Sequence, residues 1–365
     1  MTTDSATSGP QSIDVGAKLK VIGVGGGGCN AVKRMYQEDL KGVQLIAINT
    51  DIKALMMSNV PNKIQIGAKL TRGLGAGADP KVGHQAAEES RDEIAESLRG
   101  SDMIFLAAGM GGGTGTGAMP FVAEVAKETG ALTVAICTLP FNFEGAKRRS
   151  QAQEGLNQLR EKVDTLITVS NDKLLATCSK KVTVDSAFKM ADDVLVQAVA
   201  SISDLINLPG EINVDFADVR TIMAHGGSAI MAIGRGSGES RAIEAARAAI
   251  QNPLLDLSLD GAKGALVNIT GGSDLTLSEV NAAMDIISKA VDPDAHIIFG
   301  VVHNPNMDKE VKLTVIATGV SEVAQTVAAT QHPENVSQLT VGIPHSNHDD
   351  VDIPTFLRHA RQRAI

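Results

Sequence analysis

Short runs of β-branched and other apolar residues alternate with longer amphipathic stretches over the first half of the chain. Aspartate caps helices and proline suits their first turn, so Asp79 and Pro80 predict the start of a helix that continues to Leu98. This alternation is typical of βαβ units and predicts a mainly parallel sheet. The predicted strands are Leu19 to Val24, Gln44 to Asn49, Met103 to Ala107, Leu132 to Cys137 and Thr165 to Val169.

A longer helix is predicted from Ser186 to Leu208, with one apolar face and further apolar residues on the opposite side, such as Phe188 and Val199. A helix that is apolar on several sides is expected to lie between two domains. Pro209 and Gly210 end it, and a second set of strand and helix signals follows. The strands predicted there are Ser228 to Ile233, Ala265 to Thr270, His296 to Val302 and Val311 to Ala317, with helices between the first three.

Composition excludes several classes of protein. The chain has 365 residues, of which 43% are hydrophobic, so it can build two cores. A net charge of -9, no Trp and one Tyr argue against a nucleic-acid partner. Cys29, Cys137 and Cys178 lack metal-ligand spacing, so we expect buried thiols, a reducing compartment and no metal site. No apolar run predicts a signal peptide or direct membrane insertion, and a cytoplasmic location is expected.

Two glycine-rich segments follow predicted strands and lead into predicted helices. The first runs from Gly23 to Asn30 and the second from Gly109 to Gly117, where Thr114 and Thr116 add hydroxyl groups. Glycine costs roughly 0.5–1 kcal/mol relative to alanine in regular structure, so this density needs a reason. Bare backbone beside a helix N-terminus can approach a phosphate closely. The pattern therefore favours a phosphate site over a pair of tight turns.

The class of nucleotide is open at this point. Gly23, Gly25 and Gly28 fit the Gly-x-Gly-x-x-Gly pattern, and Asp51 follows the next strand, where a dinucleotide enzyme holds a ribose. A nicotinamide-dependent dehydrogenase is thus the alternative hypothesis. A second phosphate segment has no role in that fold, and the lysine-containing P-loop sequence does not occur.

The segment Gly111 to Gly117 has the sequence of the tubulin signature motif, and the chain resembles the tubulin/FtsZ family, in particular its bacterial cell-division members. The resemblance extends from about Lys18 to Val320. Further matching segments are Gly25 to Asn30, Asn49 to Asp51, Thr71 to Gly77, Pro140 to Gly145 and Asn213 to Asp218, and Asp352 to Arg358 is similar to the family's C-terminal peptide. Cys29 and Leu139 depart from the common pattern.

The resemblance implies the tubulin/FtsZ fold: a Rossmann-like GTPase domain with a mainly parallel sheet, a long central helix and a second, smaller α/β domain. It implies a GTPase that forms GDP and phosphate, with Mg²⁺ carried by the nucleotide. The residues implied at the nucleotide are Gly26, Gly27, Gly28, Cys29, Asn30, Gly75, Ala76, Gly77, Ala78, Gly113, Thr114, Gly115, Glu144, Arg148, Asn171, Phe188 and Asp192.

Roles follow from the same resemblance. Gly113 to Gly115 would contact the phosphates and Gly75 to Ala78 would close over the γ-phosphate. Glu144 and Arg148 would reach the sugar and phosphate, and Asn171 and Asp192 the guanine. The catalytic residues implied are Asn213, Asp215 and Asp218, which enter the GTP site of the neighbouring subunit in a head-to-tail filament.

Residue chemistry offers simpler interpretations of two of these sets. Phe188 and Asp192 share one helix face, which suits stacking and a guanine edge, but Asp192 beside Asp193 also fits a solvated charge. Asp215 and Asp218 stand where acidic residues cap a helix. A carboxylate has lone pairs for both capping and catalysis.

The predicted organisation also includes segments outside the two domains. Ile353, Phe356 and Leu357 beside three arginines predict a docking peptide or a frayed tail; the resemblance implies docking to membrane tethers and regulators of the mid-cell division ring. The predicted boundaries are 1–18 for a disordered tail, 19–185 for the GTP-binding domain, 186–208 for the central helix, 209–320 for the second domain, 321–350 for a flexible linker and 351–365 for the peptide.

Overall fold

The computed structural model describes residues 16–176, 182–208, 210–224, 226–252, 259, 261–305 and 307–320. Its strands are β1 (Leu19–Val24), β2 (Val43–Asn49), β3 (Asn62–Gln65), β4 (Met103–Gly109), β5 (Leu132–Leu139), β6 (Thr165–Ser170), β7 (Gly210–Ile212), β8 (Gly227–Ser237), β9 (Gly264–Gly271), β10 (His296–His303) and β11 (Glu310–Thr318). Its helices are α1 (Gly25–Gln37), α2 (Ile52–Met56), α3 (Ala68–Thr71), α4 (Pro80–Glu89), α5 (Arg91–Leu98), α6 (Thr114–Glu128), α7 (Ala146–Arg160), α8 (Asn171–Ala176), α9 (Val184–Asn207), α10 (Phe216–Met223), α11 (Arg241–Ile250) and α12 (Leu277–Ser288).

The first six strands form a parallel sheet in the order β3-β2-β1-β4-β5-β6. All side chains of β4 but that of its last residue are buried, as expected for a strand covered by helices on both faces. The five strands predicted in this half are confirmed to within two residues at each end. The carboxyl ends of β1 and β4 lie side by side, and both glycine segments begin there.

The second half continues the sheet with mixed direction. Strand β8 is parallel to β6, but only Thr165 to Ile167 and Gly227 to Ala229 are paired. Strand β11 is antiparallel to both β8 and β9, β10 is parallel to β9, and β7 is antiparallel to β10. The four strands predicted here are confirmed, with α11 and α12 in the two predicted gaps. The two halves are therefore joined by a short strand pairing and by α9.

Helix α9 is the predicted central helix. Thr183 caps it by accepting a hydrogen bond from the Ser186 N–H, and its 24 residues give a length of about 36 Å at 1.5 Å per residue. Ala198, Val199 and Ile202 are fully buried, so the helix is enclosed on several sides as the sequence predicts. Phe188 differs, since 40% of it is exposed.

One helix prediction was wrong. The stretch from Asp79 to Leu98 is not continuous, because Ser90 leaves the helical conformation between α4 and α5. The Ser90 hydroxyl accepts a hydrogen bond from the Gly67 N–H, and the Glu89 carboxylate accepts two from the first N–H groups of α3. These bonds tie the break to α3, a short helix that the sequence pattern did not reveal.

Several predicted segments lie outside the described residues: most of the tail 1–18, Cys178, the linker 321–350 and the peptide 351–365. Cys29 and Cys137 are buried free thiols, as predicted. Among the described helices, none combines the length and apolar character needed to span a bilayer.

Candidate functional site

The first glycine segment forms the start of a helix. Strand β1 ends at Val24 and α1 begins at Gly25, so Gly25 to Gly28 make its first turn. Gly25 has a φ of +72°, and a Cβ there would lie 2.6 Å from the Gly115 nitrogen. Only glycine fits this position, because a side chain would clash with the second glycine segment. The two segments are thus packed directly against each other.

The second glycine segment connects β4 to α6. The Thr114 hydroxyl is hydrogen-bonded to the Thr50 hydroxyl at 2.7 Å, and Thr114 faces the same cleft as the glycines. Thr116 is buried, and its oxygen accepts a hydrogen bond from the Gly111 N–H at 2.8 Å. The expectation that both hydroxyls are donors in the phosphate site therefore needs correction, since Thr116 does not line the cleft.

Both segments open into a cleft of about 410 Å³ at the carboxyl edge of the parallel sheet. This size suits a small-molecule ligand. The sequence-predicted residues that line it are Gly26, Gly27, Asn30, Gly113, Thr114, Gly115, Glu144, Arg148, Asn171, Phe188 and Asp192. Sequence reasoning missed Thr138 and Pro140, which also line it. Their position at the end of β5 is the signal that could have found them, because ligands bind where parallel strands end.

One end of the cleft carries two acceptor side chains in low-exposure surroundings, those of Asn171 and Asp192. Asn171 begins α8 and is 5% exposed, and its Oδ1 is buried with no hydrogen bond among the described residues. Burial raises the pKa of Asp192 to about 6, against the opposing effect of the Arg34 charge. A buried acceptor without a partner and a carboxylate that burial disfavours in its charged form are costly, so this end is suited to a ligand that supplies N–H donors.

Aromatic side chains flank the same end. The rings of Phe141 and Phe143 are stacked at 4.9 Å between centroids, and Phe188 meets Phe141 edge-on at 5.3 Å. Phe141 is buried, whereas Phe143 and Phe188 remain exposed. Of the three rings, that of Phe188 lines the cleft with Asp192, and its face suits stacking on a planar base.

The side of the cleft carries an ion pair. Arg148 on α7 pairs with Glu144, one turn earlier, and Glu144 also accepts a hydrogen bond from the Phe141 N–H at 2.9 Å. A Cβ at Gly111 would lie 2.8 Å from the Arg148 backbone oxygen, so the start of α7 packs on the second glycine segment. The Glu144–Arg148 pair therefore lies between the second glycine segment and the aromatic cluster of Phe141, Phe143 and Phe188.

The segment from Gly75 to Ala78 lies behind the second glycine segment rather than in the lining. A Cβ at Gly113 would come within 2.9 Å of the Ala76 Cβ and 3.1 Å of the Ala78 carbonyl carbon. Gly28 and Cys29 also lie outside the lining. The Cys29 thiol donates to the Ile48 carbonyl at 3.4 Å, and burial raises its pKa to about 12. Its side chain faces the core, which leaves only its backbone for a nucleotide.

The acidic segment is not brought to the cleft. Asp215 caps α10 by accepting from the Asp218 N–H at 2.8 Å, and the Asn213 Oδ1 accepts from the Gly210 N–H at 2.8 Å. Two hydrogen bonds locate α10: Arg220 donates to the carbonyl of Gly130, just before β5, at 3.2 Å, and Thr165, the first residue of β6, donates to the Met223 carbonyl at 2.6 Å. Gly130 and Thr165 lie at the amino ends of β5 and β6, so α10 packs at the amino ends of these strands.

Because β1, β4, β5 and β6 are parallel, α10 and the glycine segments lie at opposite edges of one sheet. Strand β4 alone has seven residues, about 23 Å at 3.3 Å per residue. Within one chain, the acidic side chains are therefore too far from the glycine segments to act on the same ligand. No cluster of three potential metal ligands occurs among the described residues.

Comparison with known proteins agrees with this geometry. Residues 18–179 match the family model of the Tubulin/FtsZ family, GTPase domain, and residues 227–321 that of the FtsZ family, C-terminal domain. An empty FtsZ dimer from M. jannaschii is similar, with 46% identity and a TM-score of 0.80 over 83% of this chain and 88% of that chain. CetZ2 from Haloferax volcanii, a GTPγS-bound protofilament, has 23% identity and a TM-score of 0.72 over 84% of this chain and 94% of that chain, and shares the fold.

The fold and the cleft define an α/β nucleotide-binding protein with two glycine-rich segments at the cleft and one sheet that is parallel in its first half and mixed in its second. The chain belongs to the tubulin/FtsZ family and is a GTPase that binds guanine nucleotide. The predicted tubulin/FtsZ fold is confirmed. A dehydrogenase is not supported: the Asp51 carboxylate accepts hydrogen bonds from the N–H groups of Lys53 and Ala54, so it caps α2.

Proposed function

We propose that this chain is a cytoplasmic bacterial cell-division protein that assembles head to tail into filaments of the mid-cell ring. The observation that carries the proposal is the separation of Asp215 and Asp218 from the glycine segments, on opposite edges of the parallel sheet. One chain holds two half-sites, and a head-to-tail contact would join them. The relatives described as an FtsZ dimer and a CetZ2 protofilament support this arrangement.

Nucleotide binding uses the free backbone and the unpaired polar groups of the cleft. Backbone N–H groups of Gly26 and Gly27 and of Gly113 to Gly115 face the phosphates, with the Thr114 hydroxyl among them. Asp192 and the buried Asn171 Oδ1 accept from the guanine N–H groups, and Phe188 stacks on the base. Adenine is disfavoured, because its edge has no N1–H for the carboxylate.

The remaining residues complete the nucleotide site. Glu144 and Arg148, which form an ion pair, contact the sugar and phosphate. The segment Gly75 to Ala78, which packs against Gly113, closes over the γ-phosphate. Of the carboxylates that line the cleft, Glu144 is paired with Arg148 and Asp192 lies at the base end. We therefore propose that Mg²⁺, which would neutralise phosphate charge, is held by the nucleotide oxygens rather than by a protein carboxylate.

Hydrolysis requires the next subunit in this scheme. Asp215 and Asp218, assisted by Asn213, orient a water molecule in line with the γ-phosphorus. The water oxygen forms a bond to phosphorus as the bond to the β-phosphate oxygen breaks, and one of the two carboxylates takes the proton, which leaves GDP and phosphate. The hydrogen bond from the Asp218 N–H occupies only one lone pair of the Asp215 carboxylate. Capping and catalysis are thus compatible.

Exposed apolar side chains at both ends support self-association. Leu74, immediately before the Gly75 segment, is 80% exposed, and Phe143 beside the cleft is 62% exposed. At the other end Leu277 is 77% exposed beside a cavity of about 330 Å³ that also contacts Glu211 and Ile212 of β7. Burying such side chains at a contact is favourable by about 25 cal/mol per Å² of apolar area.

The proposal extends to a partner surface outside the described residues. The resemblance of residues 351–365 to the family's C-terminal peptide supports docking to membrane tethers and regulators of division through Ile353, Phe356 and Leu357. Deletion of these residues should abolish tether binding and preserve assembly. A truncated chain that no longer pellets with GTP would contradict this part.

The direct test measures phosphate release and pelleting together over a range of protein concentrations with GTP and Mg²⁺. We expect the specific GTPase activity to be near zero at low concentration and to rise where pelleted filament appears. Specific activity that is independent of concentration would place a complete site in one chain and overturn the proposal.

A further inference from the structure

Arg34 connects the two helices of the nucleotide cleft without lining it. It lies in the last turn of α1, the helix that begins with the glycine segment. Its guanidinium donates to the Lys189 carbonyl at 2.9 Å and pairs with the Asp193 carboxylate, both on α9. Lys189 and Asp193 flank Asp192 and follow Phe188. The Arg34 side chain thus connects α1, which begins with the first glycine segment, to the part of α9 that carries Phe188 and Asp192.

Arg34 is also the positive charge that opposes the burial of Asp192. With 23% of its side chain exposed, Arg34 lies beside a carboxyl whose pKa burial raises to about 6, and its charge lowers that pKa. The neighbouring charges already have partners. Glu144 and Arg148, which line the same cleft as Asp192, pair with each other. On the helix of Asp192, Lys189 pairs with Asp185, and Asp193 pairs with Arg34 itself.

The charge state of Asp192 decides which base edge it matches. An ionised carboxylate accepts hydrogen bonds only, which suits the N1–H and N2–H donors of guanine. A protonated carboxyl has one donor and one acceptor, which suits the N1 acceptor and N6–H donor of adenine instead. A residue that controls this ionisation therefore controls base specificity.

We propose that Arg34 is a positioning residue for guanine specificity, which fixes the Phe188–Asp192 segment of α9 on α1 and supplies the charge that keeps Asp192 ionised. It acts through Asp192 and does not touch the nucleotide. The inference rests on the proposed contact between Asp192 and guanine.

The test measures equilibrium binding of GTP and of ATP to the full chain between pH 5.5 and 8, with Arg34→Met, Arg34→Lys and Asp193→Asn beside the unmodified protein. The ratio of affinities between variant and unmodified protein at each pH cancels the titration of the nucleotide phosphates. Arg34→Met should raise the pH midpoint of GTP binding by roughly one unit, the lower end of the effect of one nearby opposite charge. At pH values below the midpoints of both proteins, this shift corresponds to about a tenfold lower GTP affinity in Arg34→Met than in the unmodified protein. The preference for GTP over ATP should also be smaller.

The two other variants separate the charge effect from the structural one. Arg34→Lys keeps the charge and should keep the midpoint near that of the unmodified protein. Asp193→Asn breaks the same ion pair but removes a negative charge next to Asp192, so its midpoint should move down. Arg34→Met and Asp193→Asn could instead lose the same amount of GTP affinity at every pH, with no change in the pH midpoint of binding. That result would show that Arg34 has only a structural role and would overturn the inference.

Asp192→Ala distinguishes failure of this inference from failure of the proposed guanine contact. If Asp192→Ala retains the preference for GTP over ATP, the contact itself is wrong, and the role of Arg34 falls with it. If Asp192→Ala loses the preference while Arg34→Met leaves the midpoint in place, only the inference about Arg34 is overturned. A raised midpoint in Arg34→Met, absent in the Asp192→Ala background, supports it.

Discussion

The two edges of the parallel sheet differ in how their polar groups are satisfied. At the carboxyl edge, the cleft contains glycine backbone, a buried Asn171 oxygen without a partner and an Asp192 that burial disfavours in its charged form. At the amino edge, Asp215 and Asn213 both accept hydrogen bonds from their own chain. A buried acceptor without a partner among the described residues, at the wall of a cleft, suits a ligand that supplies donors. Side chains that act on a neighbouring molecule can instead be satisfied locally and resemble ordinary helix caps.

The largest expected effect comes from removing the acid at the amino edge. Asp215→Ala should retain GTP binding and lose on the order of 10²-fold or more in turnover, the scale of a positioned acid-base group. It should also lose about 1 kcal/mol of stability, because the cap of α10 is gone. Steady-state phosphate release, nucleotide binding and thermal unfolding measure the three effects.

Asp215→Asn is the matched control for the cap, since asparagine caps a helix as well as aspartate does. It should keep the stability of the unmodified protein and lose turnover as Asp215→Ala does. An active Asp215→Asn protein would reduce Asp215 to a helix cap and remove the functional difference between the two edges.

The next effect concerns the base end of the cleft. Asp192→Ala should weaken GTP binding by about 1.5–3 kcal/mol and narrow the preference over ATP, because a charge-assisted hydrogen-bonded contact is lost. Asp185 is an exposed carboxylate on the same helix, and Asp185→Ala should leave GTP affinity and the preference over ATP unchanged. Competition binding with GTP and ATP checks this, and identical results for the two variants would return Asp192 to a solvated helix charge.

The same carboxylate predicts a pH dependence. Burial raises the pKa of Asp192 to about 6 in the free protein, so below that pH it is protonated and cannot accept both guanine donors. GTP affinity should therefore fall as pH decreases through about 6, and this fall should be absent in Asp192→Ala. Isothermal titration of both proteins across this range shows whether their profiles differ.

A smaller effect is expected at the glycine end. A Cβ at Gly113 would lie 2.8 Å from the Asp79 nitrogen and 2.9 Å from the Ala76 Cβ, so Gly113→Ala should displace the segment that follows Gly75. We expect about a tenfold loss in GTP affinity and less for GDP, because we propose that this segment closes over the γ-phosphate. Equal losses for GTP and GDP would contradict this role.

Most of the central strands could be predicted from the sequence because they are buried apolar runs. Elements with few apolar residues were missed: β3 (Asn62–Gln65) and β7 (Gly210–Ile212) are short, and the break at Ser90 depends on bonds to α3. The glycine segments could be recognised because so many glycines carry a high cost in conformational entropy on folding, which implies a functional reason for them. Spacing placed Asp192 on the helix face of Phe188 but could not show that this carboxylate is withdrawn from solvent, since its burial and its neighbour Arg34 depend on residues distant in sequence.

The most direct test of a site divided between two subunits is a mixture of two inactive variants. Gly113→Ala combined with Gly115→Ala impairs the glycine edge and leaves Asp215 intact, whereas Asp215→Ala leaves the glycine edge intact. We predict that each variant alone has little GTPase activity and that a co-assembled mixture recovers activity at contacts where an intact glycine edge meets an intact acidic segment. Co-pelleting establishes that both variants share filaments. Mixtures that co-pellet and yet hydrolyse no more GTP than the separate variants would contradict the divided site.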